Sequence, residues 1–257
     1  MTTVVRTGSI FGLRVRPTPW LEQTRQRWGE RAIPGDWQKL LKDFSPVQKL
    51  VHLTGRRAAD YEAELGKRLF DEARATYRET IQDELGKLGC AGRTAVAPAA
   101  GPELSAIKDR SNWAAASVAN TYNVELAKEI ARIGEDTPTA NRNVYAYRLF
   151  HGTGWDEAYW RDKSTEVAQT ESITMVNAAI ADFYARNGDM LQPTASVLPL
   201  AAVCSICQEM VAGNPWRSVD EVFRQFDIPP HPACPHYVYA ISGRISNEEC
   251  MLLWAGE

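Results

Sequence analysis

Three of the five cysteines and two of the four histidines fall between Cys204 and His236. The stretch reads Cys204-Ser205-Ile206-Cys207, then an excursion, then Pro229-Pro230-His231-Pro232-Ala233-Cys234-Pro235-His236. A CxxC pair can aim two thiolates at one ion, and a later His/Cys pair at similarly close spacing completes a tetrahedral set of the kind that holds zinc. The prolines around His231 and Cys234 fix backbone angles and reduce the entropy lost on organising the second pair. Five donors compete for four places. Cys204, Cys207 and Cys234 supply the thiolates, His231 is the preferred fourth ligand and His236 the alternative. Four protein ligands leave no open position for a substrate water, so the expected cofactor is a structural Zn2+ ion.

The same residues carry a family resemblance. The run resembles the carboxy-terminal signature of phage Mu F-like minor head proteins, the phage head morphogenesis family, in which a CxxC is followed by a PPxHPxCxC element. Those proteins carry an Ala-Arg-Thr-Glu-like motif on an upstream helix, and Val167-Ala168-Gln169-Thr170-Glu171 stands in the corresponding place, with Asn177 and Ala178 following. The likeness spans about Asp156 to Tyr239. His236 replaces the family's last cysteine and keeps a metal donor, Gln169 replaces the usual arginine, and Leu198 to Val203 lacks the Asp and Arg that often precede the CxxC.

The resemblance implies a virion component: a minor capsid protein, not an enzyme, that associates with the portal and acts in procapsid assembly and in DNA packaging or ejection. It implies several copies around the portal, contacts with major capsid or scaffolding protein and with packaged DNA, no membrane partner, and a place inside the capsid after assembly in the host cytoplasm.

Enzyme and DNA-binding readings compete with this one. The sequence holds no GxxxxGK[ST] phosphate loop, no HExxH and no GxSxG elbow. A zinc deaminase needs His-x-Glu, and none of the four histidines is followed by it. His151-Gly152-Thr153 superficially resembles the nicotinamide-binding element of ADP-ribosyltransferases, but without its strand-rich surroundings it reads as a helix connection. A zinc-dependent hydrolase would require an open coordination position. A DNA-binding zinc module would be basic. From Glu166 onward there are four arginines, no lysine and eleven acidic residues, a balance of −7, against +4 for the residues before it.

With 257 residues, 44% of them hydrophobic, the chain can bury a sizeable core. No apolar run approaches the roughly 18 to 20 residues that cross a bilayer, and Met1 to Arg16 lacks the apolar region of a secretory signal. A reducing compartment is expected. Cys90 and Cys250 lie far apart in sequence and suggest no disulfide framework.

The elements that must position the metal donors are mostly helical. Residues 1–17 read as an extended arm, followed by helical patterns over 20–28 and 36–44, a helix start at Ser45-Pro46 and packing roles for Trp20, Trp28 and Trp37. A long helix is expected over 55–87, with Tyr61, Leu65, Leu69, Ala73, Tyr77, Ile81 and Leu85 at steps of four and a solvated charged face between them, Glu72 included. A Gly/Ala/Pro linker follows near 89–102. Further helices are expected over 103–133, 140–149 and 156–187, the last with Trp160, Val167, Thr174, Ala178 and Phe183 on its buried stripe, Glu171 tying it to the metal segment, and Gly188 as its cap. An extended 191–203, a Ser218/Glu221 capping box, a strand over 237–241 and a Ser246/Glu249 box before a last helix complete the pattern.

The expected fold class is therefore mainly α, a long-helix bundle-like region followed by a small zinc-stapled α+β module. The expected divisions are 1–54 for the arm and short helices, 55–155 for the long helices, and 156–257 for the Mu F-like module.

Overall fold

A computed structural model describes residues 9–10, 13–14, 19–31, 56–90, 92–136, 157–199, 205, 207–226, 234 and 236–256. The patterns over 36–44 and 140–149, the Ser45-Pro46 start and the His151 connection lie outside these residues, as do Cys204 and His231. The chain is mainly helical. In order it forms β1 (Ser9–Ile10), β2 (Leu13–Arg14), α1 (Pro19–Arg31), α2 (Arg56–Lys87), α3 (Gly101–Asp136), α4 (Glu157–Arg186), β3 (Thr194–Pro199), α5 (Gln208–Ala212), α6 (Val219–Gln225), β4 (His236–Ile241) and α7 (Asn247–Leu252). Strands β1 and β2 pair antiparallel, as do β3 and β4. No helix among the described residues is long and apolar enough to cross a membrane.

Two compact units share the chain: Met1–Gln26 with Ala73–Ser105 and Gln169–Glu257, and Arg27–Glu72 with Ala106–Ala168. In the second unit the α2 stripe buries Leu65 and Leu69, and the α3 stripe buries Ile107, Ala114, Ala115 and Val118. Glu72 is a correction to the solvated face expected on α2. Its carboxylate is 3% exposed and accepts from Arg27 Nε at 2.5 Å, so the ion pair takes a charged position into the interior.

In the first unit α2 continues with Ala73, Tyr77, Ile81 and Leu85 buried. Thr76, Thr80 and Glu84, each one residue before this row, are buried too, so the helix presents a double stripe. Glu84 is satisfied twice: the Tyr184 hydroxyl donates to Oε2 at 2.8 Å and Lys87 Nζ to Oε1 at 2.6 Å. Burial pushes the Glu84 carboxyl above its ordinary range, against the pull of the Lys87 charge and of both hydrogen bonds. Burial alone would lower the Lys87 ammonium's pKa, but Glu84 and Asp83, whose Oδ2 lies 3.0 Å away, raise it on balance. The two shifts pull in opposite senses about the charge of Glu84. Two donors on its oxygens favour the ionised pair.

Helix α2 ends where Gly89 takes a φ of 89°. The Cys90 N–H then donates to Leu85 O at 2.8 Å and the Gly89 N–H to Gly86 O at 3.1 Å, a paired closure that only a left-handed residue permits cheaply. This closure delivers Cys90 to Cys250. The two sulfurs are bonded at 2.00 Å with Cα atoms 5.6 Å apart, which overturns the expectation that they stay unpaired. Their sequence separation of 160 hid the contact.

On α4 the buried face runs through Ala168, Ser172, Met175, Val176, Ala179, Ile180, Phe183 and Tyr184, while Ala178 is exposed. Phe183 is buried as expected, Val167 and Thr174 are half-buried, and polar Ser172 and Asn177 enter the interior with the apolar side chains. Asn187, not Gly188, closes the helix. Its Nδ2 donates to Phe183 O at 2.8 Å and to Trp254 O at 3.2 Å, and its Oδ1 accepts from Trp254 N at 2.8 Å.

Candidate metal centre

The centre forms where the β3–β4 pair meets the short helix α5. The strands are in register from Thr194↔Ile241 to Pro199↔His236, so His236 opens β4 opposite the last residue of β3. Cys207 stands at the N-cap of α5, and its side chain caps no amide there. Cys207, Cys234 and His236 are 0%, 1% and 0% exposed. Their ligand atoms all lie within 4.8 Å of one another. Cys207 Sγ is 3.6 Å from Cys234 Sγ, and Cys234 Sγ is 3.2 Å from His236 Nδ1. These three residues lie close enough to bind one metal ion.

Two thiols and an imidazole are donors of the kind that zinc takes. Zn–S bonds of about 2.3 Å and Zn–N bonds of about 2.0 Å at tetrahedral angles place donors roughly 3.5 to 3.8 Å apart, within a few tenths of an ångström of the Cys207–Cys234 and Cys234–His236 separations. A disulfide needs about 2.05 Å, well short of the Cys207–Cys234 gap.

Both flanks of the centre are held. From α4, Asn177 Oδ1 accepts the Val238 N–H at 2.9 Å, anchoring β4 two residues after His236. From α2, Lys87 Nζ lies 4.4 Å from the centroid of the Tyr239 ring. Beyond β3, Asn214 Oδ1 accepts from Val197 N at 2.8 Å and its Nδ2 donates to Val197 O at 2.9 Å. Trp216 exchanges both backbone hydrogen bonds with Ala195, at 2.7 and 3.0 Å. The excursion between the two halves of the motif is thereby fastened along the edge of β3, and Trp216 Nε1 donates back to Met210 O on α5 at 3.0 Å.

Of the expected ligands, the structure brings together Cys207 and Cys234, with His236, the alternative histidine, beside them. Asn177 ties α4 to β4, and Glu171 is buried at 4% exposure, which removes a solvated glutamate. Asn214 and Trp216 carried no sequence signal. An Asn-Pro-Trp loop reads as a turn, and only the strand beside it reveals what its side chain satisfies.

His236→Ala is expected to lower the affinity for zinc by about tenfold or more, read by competition with a chromogenic chelator, and an unchanged affinity would remove His236 from the set. No protein-family model, no curated protein and no solved structure matches this chain.

Proposed function

We propose that the chain is a phage minor head protein that associates with the portal and acts in procapsid assembly and DNA packaging or delivery. In this reading the carboxy-terminal module is stapled by a structural zinc ion held by Cys204, Cys207, Cys234 and His236. The observation that carries it is the meeting of the two motif halves. Cys207 from the CxxC and Cys234-Pro235-His236 from the proline-rich element converge within 4.8 Å, although 26 residues intervene between Cys207 and Cys234. Spacing alone did not require that convergence. The Mu F-like resemblance supplies the biological role, and Asn177, which follows the Thr170-Glu171 motif on the same helix, supports it by holding the metal strand.

Zinc would brace the turn before β4 and polarise nothing, because a full set of protein donors leaves no position for a substrate. The balance of −7 after Glu166 speaks against phosphate gripping by this half of the chain. Protein contacts then fall to the helical half and the basic arm.

Quantitative mass spectrometry of intact particles tests the role. Peptides of this chain are expected at a low, reproducible ratio to the major capsid protein. Their absence from particles would sink the virion assignment. An activity that disappears with the metal, in a protein otherwise intact, would favour a zinc enzyme.

A further inference from the structure

A second cysteine pair stands apart from the metal centre, at the place where the carboxy-terminal strap, residues 245–256, crosses the segment that follows α2. We propose that Cys90 and Cys250 are a thiol–disulfide exchange site for small-molecule disulfides of the glutathione class, and that their bond is a redox lock on this strap. The proposal does not depend on the zinc reading.

The strap is seated by non-covalent contacts on both sides of Cys250. The Ile245 N–H donates to Leu88 O at 3.1 Å, and the Val96 N–H to Ala255 O at 2.9 Å. Arg93 donates from Nη1 to Met251 O at 2.8 Å and from Nη2 to Leu253 O. Asn187 holds Trp254 by two hydrogen bonds. Ser246 caps α7 through a complete capping box with Glu249, and the Ser246 backbone N–H holds the Glu249 carboxyl below its usual range. Leu253 and Ala255 are buried. Together these contacts fix the backbone on either side of Cys250, and the Gly89 closure fixes Cys90. The sulfurs are therefore brought together whether or not the bond exists, so the bond closes on a strap already in place.

The strap also has what a reversible site needs. Cys250 is 5% exposed, yet Met251 and Leu252 beside it are 71% and 73% exposed, and α7 has only six residues. Opening of this six-residue helix alone, with the contacts at 245 and 253–255 kept, would admit a small reagent to Cys250 without unfolding the unit.

The exchange balances without a further reagent. The Cys250 thiolate attacks one sulfur of the small disulfide and expels a small thiol, leaving a mixed disulfide. The Cys90 thiolate then attacks the Cys250 sulfur and expels the second small thiol. Two protein thiols become one disulfide, the small disulfide is reduced to two thiols, and both protons end on those thiols.

The experiment uses the full chain, reduced with a phosphine in the presence of zinc and then exposed to oxidised glutathione. Peptide mapping is expected to recover the Cys90–Cys250 bond. Hydrogen exchange at amides 245–255 is expected to be about tenfold or more faster in the reduced protein, while amides 73–85 and 169–183 change by less than about twofold. Cys90→Ser should reproduce the reduced pattern without any reductant. Arg93→Met should slow bond formation by about tenfold, since Arg93 aligns the strap and touches neither sulfur. Failure of the bond to form, or equal exchange in the strap in both states, overturns the lock. Loss of protection throughout 73–85 and 169–183 on reduction overturns it too, because the bond would then be a staple of the whole unit. An unchanged rate in Arg93→Met overturns the preformed strap.

Discussion

Cys234→Ser, or the double change of Cys204 and Cys207 to Ser, is expected to abolish the proposed zinc binding and to unfold the segment from β3 to β4. Binding free energy at a structural zinc is folding free energy, so the expected loss is about 4 kcal/mol or more, read by chemical denaturation alongside metal analysis. Burial deepens the effect. At 1% exposure Cys234 sits where a serine hydroxyl, a poor zinc ligand, gains little from water in exchange. Acidification should release the metal as well, because thiolates and imidazole must be deprotonated to bind. Unchanged protease resistance and an unchanged melting curve in either variant would reduce the trio to closely packed side chains.

Lys87→Met is expected to cost about 3 to 5 kcal/mol at pH 8, because it leaves the buried Glu84 carboxylate without its cation. The loss should depend on pH in a definite direction. Removing Lys87 takes away the charge that opposes desolvation, so the already raised pKa of Glu84 rises further above its ordinary 4.5. A carboxyl with a raised folded-state pKa contributes stability below the unfolded pKa and loses it as pH climbs through the folded one. The variant should therefore approach the parent near pH 4.5 and fall away from it towards pH 8. Urea denaturation at both pH values measures this, and a penalty independent of pH would mean that Glu84 is not the group left exposed to the change. The double change Glu84→Gln with Lys87→Met should recover part of the loss by removing the charge itself.

Legibility in the sequence followed the range of the interaction. The steps of four from Leu65 to Leu85 describe α2 because each buried residue repeats on one helix face. The Ser246/Glu249 box describes the start of α7 because both partners lie within one turn. The alternation after His236 marks β4 on the same local grounds. Legibility fails where satisfaction comes from another element. Glu72 looked solvated until Arg27 from α1 supplied its partner, and Cys90 looked solitary until the strap brought Cys250. Metal spacing behaved between these extremes. It drew attention to the stretch in which Cys207, Cys234 and His236 meet, since CxxC is a local geometry, but it could not choose between His231 and His236, whose prolines and neighbours are nearly alike. The start of β4, set by its pairing with Pro199, places the imidazole of His236 beside Cys234.

The division of the chain into units has a consequence for its biosynthesis. The unit made of Arg27–Glu72 and Ala106–Ala168 has all of its residues once position 168 has left the ribosome. The other unit draws on the first 26 residues, on Ala73–Ser105 and on everything from Gln169 onward, so it must wait for the last stretch to be translated. During that interval the apolar side chains of Tyr77, Ile81 and Leu85 have no permanent cover. Non-local closure of this kind is slow and leaves apolar surface open to wrong partners. Nascent chains stalled just after residue 168 has cleared the ribosomal exit tunnel should accordingly carry one protease-resistant unit and one that still recruits chaperones.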